Sequence, residues 1–316
     1  MQTIARLGLA AKPAPSKDDV TVVIPSLNEA EAIVPVIKEL RQLGYRKILV
    51  VDGYSADGTP ELAAKCGAQV ISQLGAGKTG AIATAIDRVE TPYMLVMDGD
   101  YTYDPSCIER LVAHASEYDE VIGARRSGAH NIPSLNRFGN AALSWLFRVL
   151  FGVTIRDICS GMYLLRTRAA KKLQLTTGGF DVEAEISSQI ASHGRIAEVP
   201  INYRARLGRR KLSAIRSGVT IATSIVRLAN AYNPVLLYSG LLTLSAIPAI
   251  SLLGWVVYER LVYNIWHSGY ALFGVMLLLV AAQAFSVATM SLLIKRSEHR
   301  IYQTLEDVAD RTLAES

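Results

Sequence analysis

Short apolar runs separated by polar turns fill the first part of the chain. Four of them each predict a strand, because they are short, rich in β-branched residues and followed by turn residues: 20–24, 47–51, 69–72 and 93–97. Between the first two strands, apolar residues recur at helical spacing: Ala32, Ile33, Val36, Ile37 and Leu40. Thr59 before Pro60 marks the beginning of a second helix, and the glycine-rich segment 75–80 opens a third. This alternation predicts an α/β fold with a doubly wound, mostly parallel sheet.

The alternation weakens after the fourth strand. Three later apolar runs still predict strands, at 121–124, 162–165 and 196–203. Residues 141–151 predict an apolar helix, which either packs in the core or lies in a membrane interface. Residues 213–233 predict an amphipathic helix.

Two long uncharged stretches follow, at residues 235–258 and 270–294. Each is long enough to cross a bilayer as one helix. Basic residues precede the first stretch and follow the second: Arg204, Arg206, Arg209, Arg210, Lys211, Arg216, Arg227, Lys295, Arg296 and Arg300. Because cytoplasmic flanks carry the excess of Lys and Arg, we expect a multi-pass cell-membrane protein with two spans and with its large domain and both termini in the cytoplasm. The net charge of +5 suits an anionic lipid surface.

These patterns divide the chain into five predicted segments. They are a flexible N-terminal tail at 1–19, an α/β domain at 20–212, an interface helix at 213–233, a two-helix membrane anchor at 234–296 and a cytoplasmic tail at 297–316. The N-terminal tail does not resemble a signal peptide, since its apolar run is short and is interrupted by Arg6. The three cysteines are widely spaced and show no metal-binding pattern, which suits a reducing compartment.

Polar side chains collect where the first four strands end. Asp98 and Asp100, separated by one glycine, directly follow the fourth strand. Earlier strands are followed by other polar groups: Asn28, Glu29, Asp52, Asp57 and Lys78. Ligands bind at the carboxyl ends of strands in open parallel sheets, and Mg²⁺ takes one or two carboxylates together with phosphate oxygens. The two acids could instead be a helix cap and a turn residue. Their recurrence with other polar groups at successive strand ends favours a nucleotide site.

Lys78 has a competing interpretation. Gly77, Lys78 and Thr79 resemble the end of the phosphate-binding loop of ATPases, with residues 95–98 as its metal-binding strand. That loop needs a glycine where this chain has Ser72, so the ATPase interpretation is disfavoured. A lysine in a glycine-rich loop still suits the neutralisation of a diphosphate.

Several segments resemble one known family. Residues 22–29 (VVIPSLNE), 51–59 (VDGYSADGT) and 98–100 (DGD) are similar to the successive signatures of inverting family 2 glycosyltransferases with the GT-A fold. Residues 157–161 (DICSG), 198–201 (EVPI) and 204–213 are similar to polyprenyl-phosphate and dolichyl-phosphate sugar synthases. The DGYS form of the second signature, with RLA and NP before the first span, is most similar to archaeal dolichyl-phosphate hexose synthases.

The resemblance implies a donor site. Pro25, Asn28, Glu29 and Asp52 would line the pocket for the base and ribose of a nucleotide-sugar. Lys78 would lie near the diphosphate.

The resemblance also implies a metal site. Asp98 and Asp100 would hold Mg²⁺ or Mn²⁺ against the diphosphate. Related enzymes often have a Gln two residues after the second Asp, where this chain has Thr102, so the third ligand stays open. Asp104 could replace it, although we favour Asp104 as a helix cap before Pro105.

The implied acceptor is a lipid phosphate, which is already ionised near neutral pH and needs little general-base help. Guanidinium groups grip phosphate in a bidentate manner, and the candidate acceptor contacts are Arg125, Arg137, Ser160, Arg206 and Lys211. The arginines near the first span could also be simple membrane anchors.

Three other acids are left with open roles. Asp157 and Asp100 are the two candidate catalytic residues. Asp157 would orient the acceptor or take a proton, and a turn or cap before Ser160 is its structural alternative. Glu183 and Glu185 would contact the sugar or pair with arginines.

The predicted reaction is inverting transfer of a hexose from UDP-glucose or UDP-N-acetylglucosamine to dolichyl or polyprenyl phosphate, for protein N-glycosylation or surface glycan assembly. GDP-mannose is the alternative donor. A processive polysaccharide synthase is disfavoured because no Trp lies in a Gln-x-x-Arg-Trp context, and a non-catalytic membrane scaffold is disfavoured by intact Asp98, Asp100 and Lys78. The expected partners are the nucleotide-sugar, the lipid phosphate and the bilayer, without nucleic acid; a homo-oligomer is left open.

Overall fold

The computed structural model describes residues 15–128, 131–175, 182–207, 223, 226–227, 230 and 234–314. The chain divides into two compact units, Met1–Leu228 and Ala229–Ser316. Lys211 and most of the predicted interface helix at 213–233 lie outside the described residues.

Seven strands form one sheet in the first unit. They are β1 (Val20–Ser26), β2 (Ile48–Asp52), β3 (Gln69–Ser72), β4 (Tyr93–Val96), β5 (Glu120–Ser127), β6 (Tyr163–Arg166) and β7 (Ile196–Asn202). Each strand coincides with one of the predicted apolar runs, with ends shifted by a few residues. The central strands are apolar because both of their faces are covered: every residue of β2 is buried.

Helices connect these strands. They are α1 (Ala30–Gln42), α2 (Thr59–Lys65), α3 (Gly77–Arg88), α4 (Ile108–Val112), α5 (Ser134–Phe151), α6 (Thr167–Ala170) and α7 (Val182–His193). The predicted apolar positions of α1 are its buried face, from Ala32 to Leu40. Pro60 lies in the first turn of α2, where its missing N–H removes no hydrogen bond.

The strand order is β3-β2-β1-β4-β6-β5-β7, and β6 is antiparallel to both of its neighbours. The remaining pairs are parallel, which confirms the predicted mostly parallel sheet. The reversal of β6 was not predicted, and it has a consequence for the site. The beginning of β6 lies at the edge where the other strands end, so the residues just before β6 reach that edge.

Helix α5 has one buried and one exposed apolar face, which bears on whether residues 141–151 pack in the core or lie in a membrane interface. Leu143, Phe147 and Leu150 are buried, so one face packs in the core. On the other face, Phe138 is 73% exposed and Trp145 is 58% exposed. The helix carries no acidic residue.

The second unit contains two long helices, α8 (Pro234–Tyr263) and α9 (Ser268–Ala314). The segments Pro234–Tyr263 and Ser268–Ile294 are long and apolar enough to cross a membrane. Small side chains are buried in both helices, among them Ala249, Ala281 and Ala284. Helix α9 continues beyond the apolar segment into the stretch that the sequence assigns to a cytoplasmic tail, 297–316.

Candidate active site

The loops after β1 and β2 are joined by hydrogen bonds. The backbone N–H of Asn28 donates to Ser55 Oγ at 2.8 Å, and Asn28 Oδ1 accepts from the N–H of Ala56 at 2.8 Å. Asp52 accepts from the N–H and the hydroxyl of Ser55 at 2.9 and 2.6 Å. Pro25 lies beside Val51 in the parallel register. The four residues predicted for the base and ribose pocket therefore lie at one edge of the sheet, with Glu29 on the same loop as Asn28.

Three loop residues at this edge adopt left-handed backbone conformations. They are Asn28, Tyr54 and Tyr101, with φ of 50°, 64° and 69°. They follow β1, β2 and β4 respectively. Side chains other than glycine adopt this region at a cost, and such residues cluster at functional sites.

Asp98 and Asp100, which we call the carboxylate pair, follow β4. Lys78 Nζ lies 2.6 Å from Asp98 Oδ1 and 2.5 Å from Glu183 Oε1. Burial by itself would lower the pKa of Lys78, but the charges of Asp98 and Glu183 outweigh it and raise that pKa well above its usual value. The sequence predicts that Glu183 contacts the sugar or pairs with an arginine, and in the structure it pairs with Lys78.

Asp100 is buried, and each of its carboxylate oxygens has a different partner. Oδ1 accepts from the N–H and the hydroxyl of Thr102. Oδ2 lies 3.3 Å from Nη1 of Arg206, whose Nη2 donates to Glu29 Oε1 at 2.8 Å. Burial, and then the charge of Asp98, raise the pKa of Asp100 above its usual value. Two such close acids are disfavoured as a pair of anions unless cations lie beside them.

The carboxylate pair fits a divalent cation that completes its shell with water and diphosphate oxygens. No group of three or more His, Cys, Asp or Glu suited to a metal occurs within the described residues. Asp104 caps the turn at Pro105–Cys107, accepting from the N–H of Ser106 at 3.0 Å, as we favoured. The protein ligands that this arrangement offers are therefore two carboxylates.

Gly161 sits against the carboxylate pair. A Cβ at this position would lie 2.2 Å from Asp98 Oδ2, and the N–H of Gly161 donates to Tyr103 Oη at 2.6 Å. Only glycine leaves room for the carboxylate here.

Arg125 and Asp157 form a second charged centre at the same edge. Asp157 Oδ2 accepts from the backbone N–H and Nε of Arg125 at 3.0 and 2.8 Å, and Oδ1 accepts from Nη2 at 2.6 Å. Both side chains are nearly buried, with 9% and 13% of their surface exposed. Glu198 accepts from the backbone N–H groups of Arg156 and Asp157 and so fixes the loop.

The other predicted acceptor contacts are dispersed. Ser160 is buried and its hydroxyl donates to the carbonyl of Gly123 at 2.5 Å. Arg137 is exposed on the first turn of α5. Lys211 lies outside the described residues.

Glu120 is a buried acid that the sequence pattern does not distinguish from a surface charge. Glu120 begins β5, and its Oε1 accepts from the hydroxyl of Ser187 at 2.9 Å. Burial raises its pKa to about 8. Its Oε2 and the hydroxyl of Tyr163 are buried without a hydrogen-bond partner among the described residues. Glu120 looks like a surface charge at a strand end, and only the burial of β5 on both faces changes that interpretation.

Comparison with known families settles the class. The model of glycosyl transferase family 2 matches residues 21–173. "Glycosyltransferase AglJ" of Haloferax volcanii is 36% identical over 281 residues, which cover 84% of this chain and 92% of the relative. The chain belongs to glycosyl transferase family 2. This family 2 glycosyltransferase is also 36% identical to the "Dolichyl-phosphate hexose transferase" of the same organism over 218 residues, covering 67% of this chain and 94% of the relative.

Solved structures agree with the GT-A-like fold. Glucosyl-3-phosphoglycerate synthase from Mycobacterium tuberculosis, crystallised with Mn²⁺, UDP and glucosyl-3-phosphoglycerate, superposes with a TM-score of 0.54. It is 19% identical and covers 71% of this chain and 86% of its own. At this identity the likeness establishes the fold alone.

Proposed function

We propose that this glycosyltransferase transfers a hexose from a UDP-sugar to dolichyl or polyprenyl phosphate, with inversion at the anomeric carbon. The observation that carries the proposal is the carboxylate pair, at the sheet edge where the joined loops of Asn28 and Asp52 also lie. The relative named as a dolichyl-phosphate hexose transferase supports the lipid phosphate.

On the donor side, Pro25, Asn28, Glu29 and Asp52 would hold the base and ribose, and Asp98 and Asp100 would hold Mg²⁺ or Mn²⁺. When bound, the cation supplies positive charge to the leaving diphosphate. Lys78 pairs with both Asp98 and Glu183, offsets part of their negative charge and would lie near the diphosphate.

On the acceptor side, a phosphate oxygen attacks the anomeric carbon while the bond from that carbon to UDP breaks. The new bond is a hexosyl phosphodiester, and the electron pair leaves with UDP. The acceptor phosphate is largely a dianion near neutral pH, so it needs no proton transfer before attack. Arg125 is the proposed main grip for this phosphate, with Arg137, Ser160 and Lys211 as further contacts. Arg206, which lies at Asp100, would bridge this phosphate and the diphosphate. Asp157 orients Arg125 and can take a proton from a monoanionic acceptor.

A lipid acceptor requires the domain to meet a membrane. The two apolar helices provide the anchor, and we propose that the exposed face of α5 with Phe138 and Trp145 rests on the lipid surface. Trp prefers this interfacial position because it has an apolar body and a polar N–H. The acid-free composition of α5 suits anionic headgroups. The proposed location is the cytoplasmic side of the cell membrane.

A donor screen tests the proposal. Full-length protein in detergent is incubated with radiolabelled UDP-glucose, UDP-N-acetylglucosamine or GDP-mannose, dolichyl phosphate and Mg²⁺ or Mn²⁺. We expect label in the organic phase with one UDP-hexose, lost with Asp100→Asn and retained with Asp87→Asn, an exposed acid on α3. Transfer only from GDP-mannose would show that the donor is GDP-mannose and not a UDP-hexose. A polymeric product would indicate a processive synthase. Absence of transfer with all donors would contradict the proposed reaction.

A further inference from the structure

A short segment after β7 lies along the loop that carries Asp100. We call residues 203–207 the strap. The N–H of Arg204 donates to the carbonyl of Thr102 at 2.7 Å, and the N–H of Leu207 donates to the carbonyl of Asp100 at 3.2 Å. Tyr203 forms an antiparallel bridge with Tyr103. The strap backbone is therefore fixed along the metal-site loop.

Arg204 anchors the strap. Its Nη1 donates to Glu39 Oε2 on α1 at 2.8 Å, and its Nη2 donates to Asp104 Oδ1 at 2.8 Å. The guanidinium also lies over the ring of Tyr101, 4.9 Å from the centroid, and Tyr101 donates to Glu39 at 2.7 Å. One side chain thus ties the strap to α1 and to two residues of the loop after β4, Tyr101 and Asp104.

Arg206, two residues further along the strap, reaches Asp100 instead. Thr102 already engages Asp100 Oδ1 from within the loop, so Oδ2 is the oxygen open to outside partners. Arg206 lies at this oxygen, and its other nitrogen is on Glu29. Because Thr102 already donates twice to Oδ1, a divalent cation bound by the carboxylate pair has to coordinate Oδ2. The guanidinium 3.3 Å away occupies one side of this oxygen and repels a second positive charge.

We propose that Arg204 is a positioning residue that holds Arg206 at Asp100 Oδ2, where Arg206 competes with the divalent cation. When the cation enters with a nucleoside diphosphate, Arg206 gives up this oxygen and its guanidinium turns to phosphate oxygens, which it binds well in a bidentate manner. The competition is intramolecular because the anchor keeps the guanidinium beside the carboxylate. This inference rests on the metal site of the proposed function.

The test measures Mn²⁺ binding rather than turnover. Free Mn²⁺ is titrated by electron paramagnetic resonance against full-length protein without nucleotide, for wild type, Arg206→Gln, Arg204→Gln and Arg46→Gln. Arg46 is an exposed residue before β2, so its substitution removes the same charge far from the strap. We expect about threefold to fivefold tighter binding for the two strap variants, since partly exposed ion pairs are worth up to about 1 kcal/mol. Arg46→Gln should match wild type.

For a protein that binds Mn²⁺, three outcomes would overturn the inference. Unchanged or weaker Mn²⁺ binding by Arg206→Gln contradicts the competition. If Arg206→Gln tightens Mn²⁺ binding and Arg204→Gln does not, Arg204 has no positioning role. In that case Arg204 is only structural, and Arg204→Gln should lower the melting temperature without changing Mn²⁺ affinity. With UDP present, the displaced arginine of wild type should bind the diphosphate, so Arg206→Gln should lose its advantage in Mn²⁺ affinity. If Arg206→Gln still binds Mn²⁺ more tightly than wild type by the same factor, the effect is only that of removing a positive charge.

Failure of the inference and failure of the proposed function are distinguishable. Tighter Mn²⁺ binding by the strap variants in a protein that transfers no hexose supports the competition and removes the proposed reaction. Hexose transfer by a protein whose strap variants bind Mn²⁺ like wild type supports the proposed reaction and removes the competition. If wild type and all variants bind no Mn²⁺, the metal site and the inference both fall.

Discussion

Two charged centres at one edge of the sheet are built in different ways. In the carboxylate pair, each acid is matched by a cation from another part of the chain, Lys78 from α3 and Arg206 from the strap. In the second centre, Arg125 and Asp157 satisfy one another through three hydrogen bonds. The Asp98 side chain is 31% exposed, whereas that of Arg125 is 9% exposed. The first arrangement can exchange its partners for a metal and a diphosphate, and the second is suited to holding one guanidinium still.

The largest expected effect comes from the carboxylate pair. Asp100→Asn removes one of the two carboxylates that would hold the cation, so transfer should fall by about a thousandfold, as expected when charge stabilisation of a leaving group is lost. Folding should change little, because Arg206 keeps Glu29 as a partner. Transfer rates check the loss of activity, and the melting temperature of the same preparation checks that folding is unchanged. Near wild-type transfer would remove the metal role of Asp100.

The Arg125–Asp157 centre should respond in stability as well as in activity. Asp157→Asn leaves the nearly buried Arg125 guanidinium without its counter-charge, which costs about 3 kcal/mol or more. We expect a lower melting temperature together with lost transfer, in contrast to Asp100→Asn. Thermal unfolding in detergent measures it. If Asp157→Asn melts like wild type and only loses activity, Asp157 acts in chemistry rather than in holding Arg125.

The stability of the domain should also depend on pH through Glu120, which is buried at the beginning of β5. Below pH 4.5 its carboxyl is protonated in both the folded and the unfolded chain; between there and about pH 8 only the folded protein keeps the proton. Stability is therefore lost as pH rises through this window, by at most about 1.4 kcal/mol per pH unit.

Glu120→Gln isolates this effect. The melting temperature of wild type should fall relative to Glu120→Gln as pH rises, while Glu117→Gln, an exposed acid, should follow wild type. A constant difference between wild type and Glu120→Gln across the window would mean that the carboxyl does not retain its proton on folding.

The smallest expected effect concerns the lipid side. Trp145→Ser removes an exposed aromatic ring from α5, so the apparent KM for long-chain polyprenyl phosphate in anionic vesicles should rise about threefold to tenfold, the worth of partly burying one large side chain. Activity on a short, water-soluble prenyl phosphate serves as the internal control and should not change. An equal loss on both acceptors would place Trp145 in the fold of the domain rather than at the lipid surface.

The sequence predicted what depends on local pattern. The strands were found because their apolar runs are bounded by turn residues, and the carboxylate pair because two acids follow a buried strand. The reversal of β6 was not predictable, since period and length are the same in parallel and antiparallel strands. That reversal is what carries Gly161 to Asp98.

Contacts between residues far apart in the chain could not be predicted from the sequence pattern either. Glu39 lies on the polar side of α1 and looks like a surface charge, yet it binds Arg204 from the far end of the domain. Glu183 could have met either sugar or arginine, and only the packing of α7 places it on Lys78. Asp104 was assigned correctly as a cap because the signal, an acid before Pro105, is local.

The stereochemistry and linkage of the product test the proposed reaction most directly. A preparative reaction with the UDP-hexose selected by the donor screen, dolichyl phosphate and Mn²⁺ yields lipid product for phosphorus and proton nuclear magnetic resonance. We predict one phosphodiester whose anomeric carbon is inverted relative to the donor. A retained configuration, a glycan polymer or an unmodified phosphate monoester would contradict transfer to a lipid phosphate by this site.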